Sequence, residues 1–175
     1  MNTTIINETP KAWVGCLASY NNGHLFGKWI DLTQEMSDIE HDIDVMLNES
    51  PMDNAEEFEV FDTEYVYASG VGTCIETAKA HADFFIEHGE LGIEVLKYLD
   101  DDLESAESAM DGQYCGEADS EQAYTEQTFD DCYDDVPSYL AGYIDFETMT
   151  RDWFRHGSLY SITVKGQCHI FDSEM

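Results

Sequence analysis

The chain has 175 residues, of which 38 are Asp or Glu and 7 are Lys or Arg, giving a formal net charge of −31. Self-repulsion on that scale opposes compaction, yet 43% hydrophobic and 13% aromatic residues exclude a disordered acidic tail, which is poor in both. No segment approaches the ~20 consecutive apolar residues of a membrane span, and the N-terminal residues lack the basic start and apolar core of a signal peptide.

Taken in chain order, Ala12–Tyr20 alternates as a strand, with Trp13, Gly15 and Leu17 on one side. Asn21-Asn22-Gly23 signals a turn and Leu25–Leu32 the returning strand of a hairpin. Ser37 is placed to cap a helix running to about Leu47, with Ile39, Ile43, Met46 and Leu47 on one stripe. Phe58–Tyr67 reads as a third strand. Ser69-Gly70-Val71-Gly72 punctuates the chain, and Thr73 to Glu76 has capping-box spacing, opening a helix that ends near His88-Gly89. Further helices are expected over Ile93–Leu99 and Leu103–Met110, with a break at Asp111-Gly112. Ser120 caps an acidic helix through Cys132, Asp134 to Pro137 breaks it, and Ser138–Ile144 forms a short helix. Asp145 caps another, carrying Phe146, Met149 and Trp153 and stopping at Gly157. Ser158–Val164 and Gln167–Phe171 flank Gly166 as a final hairpin. The fold class is therefore α+β. Three regions are expected: a β-rich domain over 10–68, a helical domain over 69–111 and an α+β domain over 112–175.

The acids lie in zones among apolar residues. Fourteen occupy the interval between Lys28 and Lys79, and sixteen the interval between Lys97 and Arg151, with no Lys or Arg in either. That interleaving describes charged faces on folded elements, whereas a solvated tail gathers its charge in one block. Duplex DNA carries one charge per ~1.7 Å of axis, so 31 charges match roughly 53 Å of duplex. A compact globule of this length has a radius of gyration of ~16 Å. The chain can thus present charge at about the linear density of DNA, and a strongly basic surface is its natural partner.

Enzymatic and metal-binding patterns are weak. The five cysteines, Cys16, Cys74, Cys115, Cys132 and Cys168, are odd in number and contain no C-x-x-C, which suits free thiols in a reducing cytoplasm. Cys168 is read as core, with His169 on the opposite strand face. An EF-hand loop starting at Asp111 places Gly116 correctly, but Gln113 and Cys115 occupy the next ligand positions and Gln122 stands where the bidentate Glu belongs, a poor match. Residues 69–73 lack the Lys-Ser/Thr of a P-loop and the third glycine of a dinucleotide fingerprint. His81 and His88 share a helix face, a spacing commoner by chance than as a metal pair. With 38 carboxylates, a pair at glycosidase spacing carries no information. No catalytic residue, metal ligand or cofactor is assigned.

Three segments carry a family resemblance. Residues 13–32 contain Trp13-Val14-Gly15-Cys16-Leu17, the turn Tyr20-Asn21-Asn22-Gly23, and Gly27-Lys28-Trp29-Ile30-Asp31. Residues 135–146 read Asp135-Val136-Pro137-Ser138-Tyr139-Leu140-Ala141-Gly142-Tyr143-Ile144-Asp145-Phe146, continuing to Arg151-Asp152. Residues 114–120 read Tyr114-Cys115-Gly116-Glu117-Ala118-Asp119-Ser120. In order and spacing the chain resembles the ArdA family of antirestriction proteins. Gly142 replaces a larger polar residue often found there, and residues 35–111 match only in acidity and pattern.

The resemblance implies a non-enzymatic homodimer of elongated three-domain subunits. It would imitate bent B-form DNA, occupy the DNA-binding groove of type I restriction–modification enzymes, and bind neither nucleic acid nor membrane. The imitating surface would comprise Asp31, Glu35, Asp38, Glu40, Asp42, Asp44, Glu56, Glu57, Glu59, Asp62 and Glu64. It would continue with Asp83, Glu87, Glu94, Asp100, Asp101, Asp102, Glu104, Glu107 and Asp111, then Glu117, Asp119, Glu121, Glu126, Asp130, Asp131, Asp134 and Asp135. Val136, Pro137, Leu140, Tyr143, Ile144 and Asp145 form the antirestriction motif. Its apolar members either pack in a core or, as the resemblance favours, meet across a two-fold axis. Two other readings remain open from the residues: general halophilic acidity, or an acidic chaperone or assembly factor for basic DNA-binding proteins.

Overall fold

The computed structural model describes residues 9–66, 74–133 and 136–174. Two compact units are present, Met1–Ile93 and Glu94–Met175. Each unit holds a three-stranded antiparallel sheet with helices, so the fold is α+β. The expected turn at residues 69–73 and break at Asp134-Asp135 lie outside the described residues, as does Tyr67 of the expected third strand.

In the first unit the sheet order is β2-β1-β3, built from β1 (Lys11–Cys16), β2 (Gly27–Asp31) and β3 (Phe58–Glu64). The expected hairpin pairing is present, with Trp13 opposite Trp29 and Gly15 opposite Gly27. Its first strand is shorter than expected. After Cys16 the chain turns into a short helix, α1 (Leu17–Asn21). The reason is a local polar network that alternation does not reveal. The Ser19 N–H donates to Cys16 Sγ at 3.5 Å, and the buried Ser19 hydroxyl meets Ser50 Oγ at 3.0 Å.

Helix α2 (Met36–Asn48) packs Ile39, Ile43, Met46 and Leu47 on the sheet residues Ala12, Val14, Cys16 and Ile30. The stripe is the one expected. The cap is not Ser37: the helix begins two residues earlier than that cap would place it, with Glu35 at the N-cap and no side-chain cap bond. Met36, drawn into the apolar cluster, extends the helix beyond the polar signal.

Helix α3 (Ile75–Tyr98) is interrupted at Gly89, whose φ of 60° and ψ of −143° are not helical. Glycine therefore ends the first stretch as expected, but helix resumes at once. Ile75, Ala78 and Ala82 join the first unit's core.

In the second unit, α3 is followed by two successive left-handed residues, Asp100 (φ 54°) and Asp101 (φ 65°). Helix α4 (Leu103–Ser108) follows, capped by Asp102. It runs into a π-helical turn, Ala109–Gln113, so Asp111-Gly112 is part of a helical turn and not a break. Strand β4 (Tyr114–Ala118) was not anticipated. It joins the final hairpin, β5 (Leu159–Val164) and β6 (Gln167–Asp172), in the order β4-β6-β5. Lys165 and Gly166 both take positive φ, 51° and 85°, the conformation that a two-residue hairpin turn of this hand requires.

Helices α5 (Glu121–Cys132) and α7 (Phe146–Arg155) carry the expected caps. Ser120 Oγ accepts from Ala123 N–H at 3.1 Å, and Asp145 Oδ1 from Thr148 N–H at 3.0 Å. Helix α6 spans only Ser138–Ala141.

Candidate functional site

The amphipathic elements decide where the carboxylates go. On α2 the apolar stripe turns inward, leaving Asp38, Glu40 and Asp44 exposed and Asp42 half-buried. Along β3, Asp62 and Glu64 are exposed and Glu59 is half-buried, with Glu56 and Glu57 exposed just ahead. Asp31 and Glu35 are exposed where β2 passes into α2, and Asp83 and Glu87 on α3. In the second unit Asp100, Asp102, Glu104, Glu107, Asp111, Glu117, Asp119, Asp130 and Asp131 are exposed, and Glu94, Asp101, Glu121 and Glu126 are half-buried. None of the expected surface acids among the described residues is buried. Asp134 and Asp135 lie outside that set.

Cations do little to neutralise this surface. Lys11 pairs with Glu64 at 2.8 Å, Lys28 with Asp42 at 3.2 Å, and Lys97 with Glu94 at 2.7 Å. Lys79 pairs with Asp83 one helical turn on, and Arg151 with Asp152 at 3.5 Å. Were all 7 basic side chains paired one to one with the 38 acids, 31 carboxylates would remain uncompensated. Exposed pairs of this kind contribute only ~0–1 kcal/mol each.

Several carboxylates are held ionised by local hydrogen bonds. The Gln34 amide, together with Lys28, holds Asp42 below the ordinary carboxyl value. Ser105 does so for Asp102, Thr148 for Asp145, and Ser158 for Asp172. The helices themselves are poorly suited to so many acids: α2, α4 and α5 have no basic residue in their last turns, where a cation would complement the dipole.

The motif around residue 140 is arranged differently from expectation. Because α6 ends at Ala141, Tyr143 and Ile144 lie beyond it and do not share a helical face with Leu140. The Tyr143 N–H instead closes a turn onto the Leu140 carbonyl at 2.9 Å. Gly142, following the helix directly, acts as its C-cap. Leu140 is 43% exposed and Tyr143 86%, and neighbouring Tyr139, which the sequence reading did not single out, is 73% exposed. Val136 and Ile144 are half-buried and Pro137 is exposed. Asp145 serves as the α7 cap.

Elsewhere, Cys168 is buried in β6, and His169 on the other face meets the Tyr114 hydroxyl at 3.0 Å through Nδ1. His81 is buried and His88 lies against the Phe84 ring. Among the described residues no group of three or more His, Cys, Asp and Glu side chains is placed to hold a metal ion, and no helix is long and apolar enough to cross a membrane.

The family model described as antirestriction protein (ArdA) matches residues 12–166. The chain belongs to the ArdA family. The matched span takes in the β1–β2 hairpin, the 114–120 segment and the motif through Asp145, so all three segments that carried the resemblance fall inside it. As an ArdA member the protein is an antirestriction protein, in a family of inhibitors that act on restriction enzymes. A comparison with curated proteins found no match.

Proposed function

We propose that this ArdA protein inhibits type I restriction–modification enzymes by occupying their DNA-binding groove as a homodimer, its carboxylates standing in for duplex phosphates. It does so without catalysis and without a cofactor. The observation that carries this reading is the display just described: carboxylates from both units face solvent, and the excess over cations is 31. A groove that neutralises phosphates with Lys and Arg gains affinity by releasing counterions, and it gains in the same way from carboxylates at similar density. The reading keeps the three-domain partition as a functional division of the surface. It assigns Leu140 and Tyr143, with Val136, Pro137 and Ile144 beside them, to the contact between subunits. Such a contact would lengthen the duplex that one inhibitor imitates.

The direct test is biological. Unmodified phage DNA is plated on a host carrying a type I system, with and without the protein. The expected result is recovery of plating toward that of a host lacking the system. Accumulation of folded protein with undiminished restriction overturns the proposal.

A further inference from the structure

The second unit contains an open cleft of about 650 Å³, within the ~300–1,000 Å³ range of small-ligand sites. A purely electrostatic surface has no need of one. Its lining residues include Tyr98, Phe154 and Tyr160 together with Asp102 and Glu104, and none of its described lining residues is Lys, Arg or His. The rings are ordered. Tyr98 stacks on Tyr160 with centroids 4.9 Å apart and planes 3° apart, and Tyr160 stacks in turn on buried Phe171 at 5.1 Å and 14°. Tyr98 is 54% exposed, so the stack is anchored in the core at one end and open to solvent at the other. The Tyr160 hydroxyl donates to Gln113 Oε1 at 3.3 Å, which further fixes its ring.

Asp102 is also held in place. Its carboxylate accepts from the Ser105 hydroxyl at 2.8 Å and from the Ser105 N–H at 3.4 Å. An ionised carboxylate offers about four lone-pair sites, so acceptor capacity remains.

A preorganised aromatic face beside two carboxylates selects for a planar cation. The guanidinium group is planar, always charged and weakly hydrated, stacks on aromatic rings, and donates through a fork that matches a carboxylate. An ammonium is compact and strongly hydrated, and exploits the ring less well. Anionic ligands are repelled. We propose that this cleft receives an arginine side chain of the restriction enzyme's DNA-binding groove, stacked on Tyr98 and paired with Asp102 and Glu104. This rests on the reading that the protein occupies that groove. It adds to a distributed charge surface one anchor of a kind that a row of phosphates does not offer.

Two measurements on the full chain test it. In the first, N-acetyl-arginine amide and N-acetyl-lysine amide are titrated at matched ionic strength while tyrosine ring signals are followed by NMR. Saturable shifts at Tyr98 and Tyr160, larger for the arginine probe, are expected. Equal shifts from both probes, spread over all tyrosines, overturn the proposal.

The second measures displacement of duplex DNA from a type I enzyme. Tyr98→Leu, which keeps bulk but removes the ring, is expected to weaken displacement about five- to tenfold, the scale of one cation–π contact. Tyr98→Phe restores most of that loss. Tyr133→Leu, at another half-exposed tyrosine, is the control, and thermal unfolding verifies that each variant folds. A wild type that displaces DNA no better than Tyr98→Leu refutes the arginine cleft and leaves the DNA-like surface standing. A wild type that displaces no DNA overturns the underlying reading and the partner assignment together.

Discussion

At the scale of single residues, the family's hairpin pattern has a steric basis. A Cβ built on Gly27 would lie 2.3 Å from the Val14 carbonyl oxygen and 2.8 Å from the Gly15 Cα. These are backbone atoms in a paired strand, so they cannot swing aside. Gly27→Ala is therefore expected to destabilise the first unit by about 1–3 kcal/mol, the usual range for overpacking, in urea unfolding. An unchanged midpoint would show that β2 shifts freely.

His169 gives a pH signature. Burial holds its pKa below the ordinary value of 6.5, partly opposed by Glu117, and its Nδ1 lies within hydrogen-bond distance of the Tyr114 hydroxyl. As pH falls through 6.5, the unfolded chain takes up a proton that the folded chain resists. The contribution to stability is thus intact above the ordinary value, declines below it, and levels off once the lowered folded pKa is passed. Wild type and variant share every other titrating group, so a difference between them isolates the histidine. The stability of His169→Gln relative to wild type should rise on going from pH 7.5 to 5.5. A constant difference would contradict the burial argument.

At the scale of elements, legibility followed the range of the interaction that fixes each one. The α2 stripe, the Ser120 and Asp145 caps and the β5–β6 hairpin depend on residues within one or two turns of each other, and those are visible in sequence. The Leu17–Asn21 turn depends on Ser50, more than thirty positions away, and β4 depends on pairing with β6 near the C-terminus. Neither dependence leaves a local pattern. Helix α6 ends before Tyr143 at the site where Gly142, a poor helix former, follows Ala141.

The exposure of Tyr143 sharpens its test. A side chain 86% exposed contributes little to a core, so Tyr143→Ala should leave the unfolding midpoint close to that of wild type. If the segment joins two subunits, sedimentation will show the variant dissociating at concentrations where wild type is dimeric. Screening relieves repulsion between two very negative bodies, so wild-type dimerisation should tighten with added salt. A folded wild type that stays monomeric at every salt and at micromolar concentration would contradict the dimer. Unfolding of Tyr143→Ala would return the residue to a core.

At the scale of the whole molecule, the charge was the most legible property, because no fold can hide 31 uncompensated carboxylates. The sequence could not reveal which of them are held ionised by neighbours or where an aromatic cleft sits among them. Tyr98 and Tyr160 are 62 positions apart and meet only through the fold. An interface built on this surface is distributed. Asp100→Asn or Asp130→Asn alone removes one screened contact, worth ~0–1 kcal/mol, and should scarcely change inhibition, while cumulative neutralisation of six or more acids should erode it progressively. Complete loss from one such change, with folding intact, would point to a site-specific carboxylate.

The central claim is that a restriction enzyme's groove sees this surface as it sees DNA, and competition as a function of salt tests that most directly. Labelled duplex bound to a type I enzyme is displaced by the protein at a series of salt concentrations. The expected result is full displacement at saturation, with the logarithm of the protein's affinity falling linearly and steeply against the logarithm of salt, as for duplex itself. Duplex that stays bound at saturating protein, or an affinity indifferent to salt, would contradict the claim.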